Sequence, residues 1–222
     1  MGFYERQEKE VVILAAAEHV FAAEGFVNAK MEAVAQKAGI SKGSVYFYFQ
    51  SKEDLYLAIT HKAFEIVIQA YRRVLADSGG LPGRSKVLAI MQAYIGFAKQ
   101  YSLYHEAIFN YMSLVRNVVE NSAIGTKQQE SLKQSIYFNR IKQIHNLPVA
   151  IVVAEIKEGV RDGSIGNQQN PQTIYVTLWA MLIGFAKLNI TMGDQNQTIY
   201  HVNSNEWQAY LLELAERILR EG

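Results

Sequence analysis

A serine framed by two glycines, Gly39-Ile40-Ser41-Lys42-Gly43, has the G-x-S-x-G spacing of a serine-hydrolase nucleophile elbow. That chemistry needs a strand before the serine and a helix after it, with histidine and carboxylate partners gathered on an α/β sheet. Here Met31, Val34, Ala35 and Ala38 precede it at i, i+3, i+4 and i+7, which is helical spacing. So short a motif arises readily by chance. His105-Glu106 opens like a zinc-binding H-E-x-x-H, but Phe109 stands where the second histidine is required. The other histidines, His19, His61, His145 and His201, lie far apart in the chain. With no cysteine there is no thiolate metal site and no Cys nucleophile. These residues imply no catalytic group, no metal and no cofactor, and the chain does not read as an enzyme.

The same segment has a different chemistry to offer. Gly39–Leu55, GISKGSVYFYFQSKEDL, holds a glycine turn, a short helix crowded with Ser, Lys and Tyr, and a new helix start. Helix, glycine turn and short second helix form the helix-turn-helix plan, whose second helix enters the major groove of DNA. Its exposed face presents Ser41, Lys42, Gly43, Ser44 and Tyr46, groups suited to phosphates and base edges. The net charge of +1 looks poor for such a partner, and residues 1–60 carry six Lys or Arg against eight Asp or Glu. Between Val27 and Lys52, however, four lysines (Lys30, Lys37, Lys42, Lys52) meet one acid, Glu32. Local placement supplies the phosphate contacts. Tyr46 is expected to donate its hydroxyl to a phosphate. Lys52, at a helix start, joins its ammonium to free backbone N–H groups around another. Phe49 reads as core, and Tyr48 suits either role.

Helices must position these groups. The first is expected over Tyr4–Ala23, with a stripe of Ile13, Ala16, Ala17, Val20 and Phe21, stopped by Gly25. A second covers Lys30–Ala38, with Asn28 as the nearest available cap, and a third Lys42–Tyr48. Ser51 opens the fourth with Asp54 in a capping box, and its stripe runs from Leu55 to Val74. Ser78–Gly83, SGGLPG, is the clearest break and is placed as the linker. Beyond it, Arg84–Gln100 and Ser102–Val115 read as helices, then a polar turn near Asn121–Thr126. A long helical pattern over Lys127–Asp162 is kinked or broken at Pro148. Asn170 and Pro171 open an apolar helix to Met192, Gly193–Ser204 is loop, and Asn205–Glu221 is the closing helix. The fold class is all-α.

At 222 residues, half of them apolar, the chain can build a substantial core. Its N-terminus, MGFYERQEKE, has no apolar signal core, and a reducing cytoplasm suits a chain without cysteine. Tyr94, Phe97, Tyr101, Tyr104, Phe109, Tyr111 and Met112 crowd two consecutive helices, and Trp179, Met181 and Phe185 come later. For any one of them core packing is the default. Many tyrosines beside few charges also suit a largely apolar cavity, with His105 as a polar group within it. Leu147–Ile156 and Pro171–Ala186 are apolar on nearly all sides. Gln172, Thr173 and Thr177 interrupt the second run and the first is too short to span a bilayer, so both read as helices buried on two sides.

Residues Glu10–Leu57 resemble the DNA-binding domain of the TetR family of bacterial transcriptional regulators. The resemblance rests on the Ile13-Leu14, Ala16-Ala17 and Val20-Phe21 stripe, the Gly25-Phe26 break and Val34-Ala35. It continues through Ala38-Gly39-Ile40-Ser41, Lys42-Gly43, Val45-Tyr46, Phe49 and Ser51-Lys52-Glu53 with Leu55. One departure stands out: the family usually has Thr where Ala29 and Lys30 stand. The resemblance implies a DNA-binding head over residues 7–67, with its helix-turn-helix at 30–49, and an effector-binding and dimerisation domain over 84–222. DNA contacts would fall to Lys30, Ser41, Lys42, Gly43, Ser44, Tyr46, Phe47 and Lys52. A small, apolar or aromatic effector would meet Tyr94, Phe97, Tyr101, Tyr104, His105, Phe109, Met112, Trp179 and Phe185. A homodimer would form through Val149, Val153, Ile156 and Ile183. The implied function is a ligand-responsive regulator, most often a repressor, on a pseudo-palindromic operator. The rival readings are a helix-turn-helix protein without a ligand, and an all-α enzyme or lipid carrier with an incidental motif.

Overall fold

The computed structural model describes residues 3–120, 134–193 and 201–221. Among these residues there are helices and no strand. In chain order they are α1 (Phe3–Asn28), α2 (Met31–Ala38), α3 (Lys42–Tyr48), α4 (Lys52–Asp77) and α5 (Gly83–Gln100). Then come α6 (Ser102–Glu120), α7 (Ile136–Ile144), α8 (Leu147–Arg161), α9 (Pro171–Met192) and α10 (Ser204–Arg220). The turn expected at Asn121–Thr126 lies outside the described residues, as do residues 127–133 of the long helical pattern. The rest of that pattern is two helices, α7 and α8, parted at His145–Asn146 with Pro148 in the first turn of α8, where its missing N–H costs nothing.

The chain divides into two compact units. One comprises Met1–Glu65 and Leu103–His145, the other Ile66–Ser102 and Asn146–Gly222. The boundary falls inside α4, at Glu65/Ile66. The Ser78–Gly83 break placed as a linker is a turn within the second unit.

In the first unit the expected stripe of α1 is inward: Ile13, Ala16, Ala17, Val20 and Phe21 are all buried, together with Val34, Val45, Phe49, Leu55 and Ile59. Gly25 interrupts α1 as expected, at φ 72°, ψ 161°, but the chain resumes helical turns to Asn28 instead of stopping. In the second unit α5 packs against α8, α9 and α10. Ile90, Ile95, Ile156, Ile165, Leu178, Phe185 and Leu219 fill that core. Among the described residues one helix, α9, is long and apolar enough to cross a membrane. Its Ile174, Leu178, Leu182, Phe185 and Ala186 are buried in this unit, the pattern of a core helix.

The start of α5 is fixed from a distance. Gly83 N donates to Asp162 Oδ2 at 2.8 Å and Arg84 N to Ser164 Oγ at 3.1 Å, so the loop after α8 satisfies N–H groups that a helix N-terminus leaves open. The approach is close enough that a β-carbon on Gly83 would overlap the backbone of Gly159. Gly83→Ala is therefore expected to destabilise the protein by about 1–3 kcal/mol, the usual cost of overpacking. Urea unfolding should show a lower midpoint with an unchanged slope.

Candidate nucleic-acid interface

α2 ends because Gly39 takes the left-handed conformation (φ 68°, ψ 29°), which lets its N–H return to the carbonyls of Ala35 and Gln36. Ile40 N likewise donates to Ala35 O at 3.1 Å. One residue later Ser41 is extended and caps α3: Ser44 N donates to Ser41 Oγ at 3.1 Å, and the two hydroxyls lie 2.8 Å apart. The G-x-S-x-G serine is therefore a helix cap, with no strand before it.

On α3 only Val45 is buried; Lys42, Gly43, Tyr46 and Phe47 are exposed, Phe47 at 66% and Tyr46 at 41%. Lys42 reaches Glu32 on α2 in an exposed ion pair, and its ammonium lies 5.7 Å from the Tyr46 ring centroid. The hydrogen bond to Glu32 raises the Lys42 pKa, and the same bond lowers that of Glu32. So exposed a pair is weak, and Lys42 can trade it for a phosphate at little cost. Nothing in the local sequence marked Glu32 as this partner; the fold brings it there.

Lys30 is the N-cap of α2, extended and exposed, and its side chain makes no cap hydrogen bond. Asn28 does not cap α2 as expected. Its Nδ2 donates to Glu24 O at 3.2 Å, closing the end of α1 instead. Lys52 is engaged inside the head: Nζ donates to the carbonyls of Phe26 (2.8 Å), Val27 (3.0 Å) and Ala29 (3.1 Å), and lies 4.7 Å from the Phe26 ring centroid. An ammonium has three donors, and all three are spoken for here. A phosphate grip would require Lys52 to leave these carbonyls.

Ser51 caps α4 as expected, with Asp54 N donating to Ser51 Oγ at 3.1 Å. The Asp54 carboxylate does more than a capping box asks. It accepts from Gln50 N at 3.3 Å and, through Oδ1, from Ser135 Oγ at 2.6 Å, while Ser135 itself caps α7. Phe49 stacks on Tyr137 at 5.9 Å between centroids. A second tie joins α1, α4 and α6: Glu18 Oε1 accepts from Lys62 Nζ at 2.7 Å and from the Tyr104 hydroxyl at 2.8 Å. Burial presses the Lys62 pKa down, but its bonds to Glu18 and Tyr104 outweigh that and raise it. These ties span 44 to 86 residues, and no sequence periodicity reports them.

The residues expected around an effector are divided between the units. Tyr104, His105, Phe109 and Met112 lie in the first, where Tyr104 and His105 are buried and Phe109 and Met112 are 40% and 50% exposed. Tyr94, Phe97, Tyr101, Trp179 and Phe185 lie in the second. There Phe97 and Tyr101 border a groove of about 380 Å³ with Ile66, Ala70, Arg73 and Ala93. Phe185 packs edge-on against Trp207 at 4.6 Å, and Trp179 stacks on Tyr175 at 6.5 Å. Of the expected interface residues, Ile156, Val153 and Ile183 are 0%, 8% and 9% exposed within the single chain, so they serve its own core first. Val149 is half-buried.

Lys52→Met should therefore loosen the head. Losing charged hydrogen bonds to three partly exposed carbonyls should cost about 1–3 kcal/mol. A lowered melting temperature, with the helix content of the folded state retained, is the expected reading.

Residues 13–59 match the family model described as bacterial regulatory proteins, tetR family. The HTH-type transcriptional activator FasR of Mycolicibacterium smegmatis is 31% identical over 104 residues, 47% of either chain, so the match spans about half of that relative. The HTH-type transcriptional repressor BepR of Brucella suis is 25% identical over 185 residues, 82% of this chain and 80% of BepR. The HTH-type transcriptional regulator RutR of Escherichia coli is 40% identical over 58 residues, 26% of this chain and 27% of RutR. Among solved structures, the transcriptional regulator FadR from Bacillus subtilis in complex with stearoyl-CoA aligns with TM-score 0.64 at 16% identity, over 95% of this chain and 99% of FadR. A Rhodococcus protein of unknown function aligns with TM-score 0.69 at 17% identity, over 96% of each chain. At such identities these structures speak for the fold. The matched head, the named relatives and the fold agree: residues 13–59 form a head of the tetR type, and the chain as a whole is similar to regulators of that family.

Proposed function

We propose that the protein is a one-component, cytoplasmic transcriptional repressor, a homodimer released from a pseudo-palindromic operator by a small, largely apolar effector. The observation that carries the reading is the exposed face of α3, with Lys42, Gly43, Tyr46 and Phe47 outward from a capped and buried base. Lys30, Ser41 and Ser44 flank this face, and Lys52 steadies it from behind. In this reading Tyr46 holds a phosphate and Lys42 lies nearer the base edges. The head is residues 7–67, and 84–222 serve effector binding and dimerisation, with 103–145 packing in the head's own unit.

The effector is assigned to the groove along α4 and α5. Ile66, Ala70, Ala93 and Phe97 give it an apolar wall, and Tyr101, Gln69, Gln100 and Arg73 give it polar groups. That character suits an aromatic or long-chain molecule, in keeping with the stearoyl-CoA held by the FadR structure. Effector and operator must weaken each other by the same factor, about 5- to 150-fold for ordinary coupling.

The dimer is assigned to the outward side of α9. Gln172, Val176, Ala180, Gly184 and Leu188 recur every fourth residue there, exposed and uncharged, with small residues in the middle. Such a stripe lets a partner helix approach closely, as a four-residue ridge in a groove. Tyr210 and Leu214 of α10 are exposed apolar residues of the same unit.

Selecting DNA fragments from the host genome with the purified protein is the first test; absence of any enriched sequence would refute the reading. On the selected operator, Tyr46→Phe should weaken binding about evenly across sequences, as loss of a phosphate contact does. Lys42→Ala should weaken it and also relax specificity, by about 1–3 kcal/mol at a guanine. Unchanged binding in both variants would remove α3 from the interface. A β-carbon on Gly184 would meet only open space. Gly184→Arg should therefore leave the chain folded and drive it to monomer in sedimentation; a folded dimer would reject the α9 assignment.

A further inference from the structure

We infer that Phe47 is a specificity residue that reads the C5 methyl group of a thymine in each operator half-site. The inference rests on the proposed DNA-binding reading and names part of the sequence that α3 selects.

Phe47 is 66% exposed on a helix whose neighbouring aromatics are partly or wholly covered: Tyr46 is 41% exposed, Tyr48 half-buried and Phe49 fully buried. Its ring is held edge-on to Tyr48, 5.3 Å between centroids at 82°, so it is steadied on one side while the rest faces outward. At about 100° per residue, Lys42, Tyr46, Gly43 and Phe47 succeed one another within an arc of about 140°, opposite buried Val45 and half-buried Tyr48. Phe47 thus shares the reading face and forms one end of it.

Gly43 is its neighbour on that arc. A β-carbon there would have Ser41 Oγ, at 3.9 Å, as its nearest contact, so nothing within the chain demands glycine for space. Its φ is not in the left-handed region either. The missing side chain instead bares the helix backbone beside Phe47, which lets α3 settle deep in a groove.

A phenyl group has no donor and no acceptor, so it can neither hold a phosphate nor pair with a base edge. On the major-groove floor the one apolar group that the four standard bases present is the thymine methyl. A bare backbone and an apolar side chain at one end, with Lys42 and Tyr46 at the other, divide the face into a part that senses a methyl and a part that holds the backbone.

The test replaces thymine by deoxyuridine, one position at a time, in the operator selected by the full-length protein; each exchange removes one methyl and leaves base pairing intact. For the natural chain one position per half-site should lose about fourfold in affinity, the worth of one buried methyl, and about 15-fold when both half-sites are changed. Phe47→Ala should bind the thymine and uracil operators alike, with its melting temperature unchanged. Should that variant unfold, Phe47→Gln keeps the length of the side chain and should show the same indifference. The inference is overturned if every thymine-to-uracil exchange is silent for the natural chain, or if the Phe47 variants keep its discrimination. Failure to select any DNA overturns the DNA-binding reading, and this inference with it.

Discussion

Seven residues are too few for a helix to persist alone in water, yet α3 must hold its side chains in one orientation to be read against DNA. Its stability is borrowed. Ser41 satisfies the first turn, Gly39 sets the entry angle, and Val45 and Phe49 anchor the underside in the core of the head. Lys52 then pins the start of α4 to the carbonyls of Phe26, Val27 and Ala29, where α1 hands over to α2. These three carbonyls flank the gap left by the uncapped start of α2, whose N-cap residue is a lysine without a capping hydrogen bond. A cation at carbonyls and a missing hydroxyl cap are thus parts of one local arrangement, in which the helix start is held by its surroundings.

The same constraint explains why the head does not end where its family motif ends. α6 and α7 lie beyond the matched residues 13–59, yet they belong to the head's compact unit. Tyr104 reaches Glu18 on α1, and Ser135 reaches Asp54, three residues after the cap that opens α4. Both contacts place a charged acceptor against a hydroxyl in partly buried surroundings, where such bonds are strong and costly to leave unmade. Any displacement of α6 or α7 therefore acts directly on the elements that hold α3.

The all-α class, the helix stripes and the exposed face of α3 were legible in the residues, because each depends on local spacing. Ile13 to Phe21, Met31 to Ala38 and the Asn170-Pro171 start all behave as their patterns require. Where the reading went astray, another partner intervened, in one case local and in the other distant. Asn28 closes α1, since Glu24 O lies one turn away, and the start of α2 is left without a side-chain cap. Lys52 is drawn to carbonyls 23 to 26 residues earlier, a partner that no helical period can announce. The aromatic crowding of α5, α6 and α9 was visible, but composition cannot say which compact unit each ring joins.

That division bears on how the two halves of the chain can be coupled. The chain crosses between the units at 65/66, at 102/103 and at 145/146. The first crossing lies within α4, an unbroken helix of 26 residues, or about 39 Å. The second falls at the start of α6, after the non-helical Tyr101, and the third between α7 and α8. The α4–α5 groove, with Ile66 and Ala70 on one side and Phe97 and Tyr101 on the other, sits immediately beyond two of these crossings. On the proposed effector reading, a ligand there could shift the heads only by its difference in affinity between two states. α6 carries Tyr104, and α4 carries Lys62, the two groups that meet on Glu18. The clasp thus gathers α4 and α6 onto α1, the helix against which α2 is packed, as α3 in turn is packed against α2.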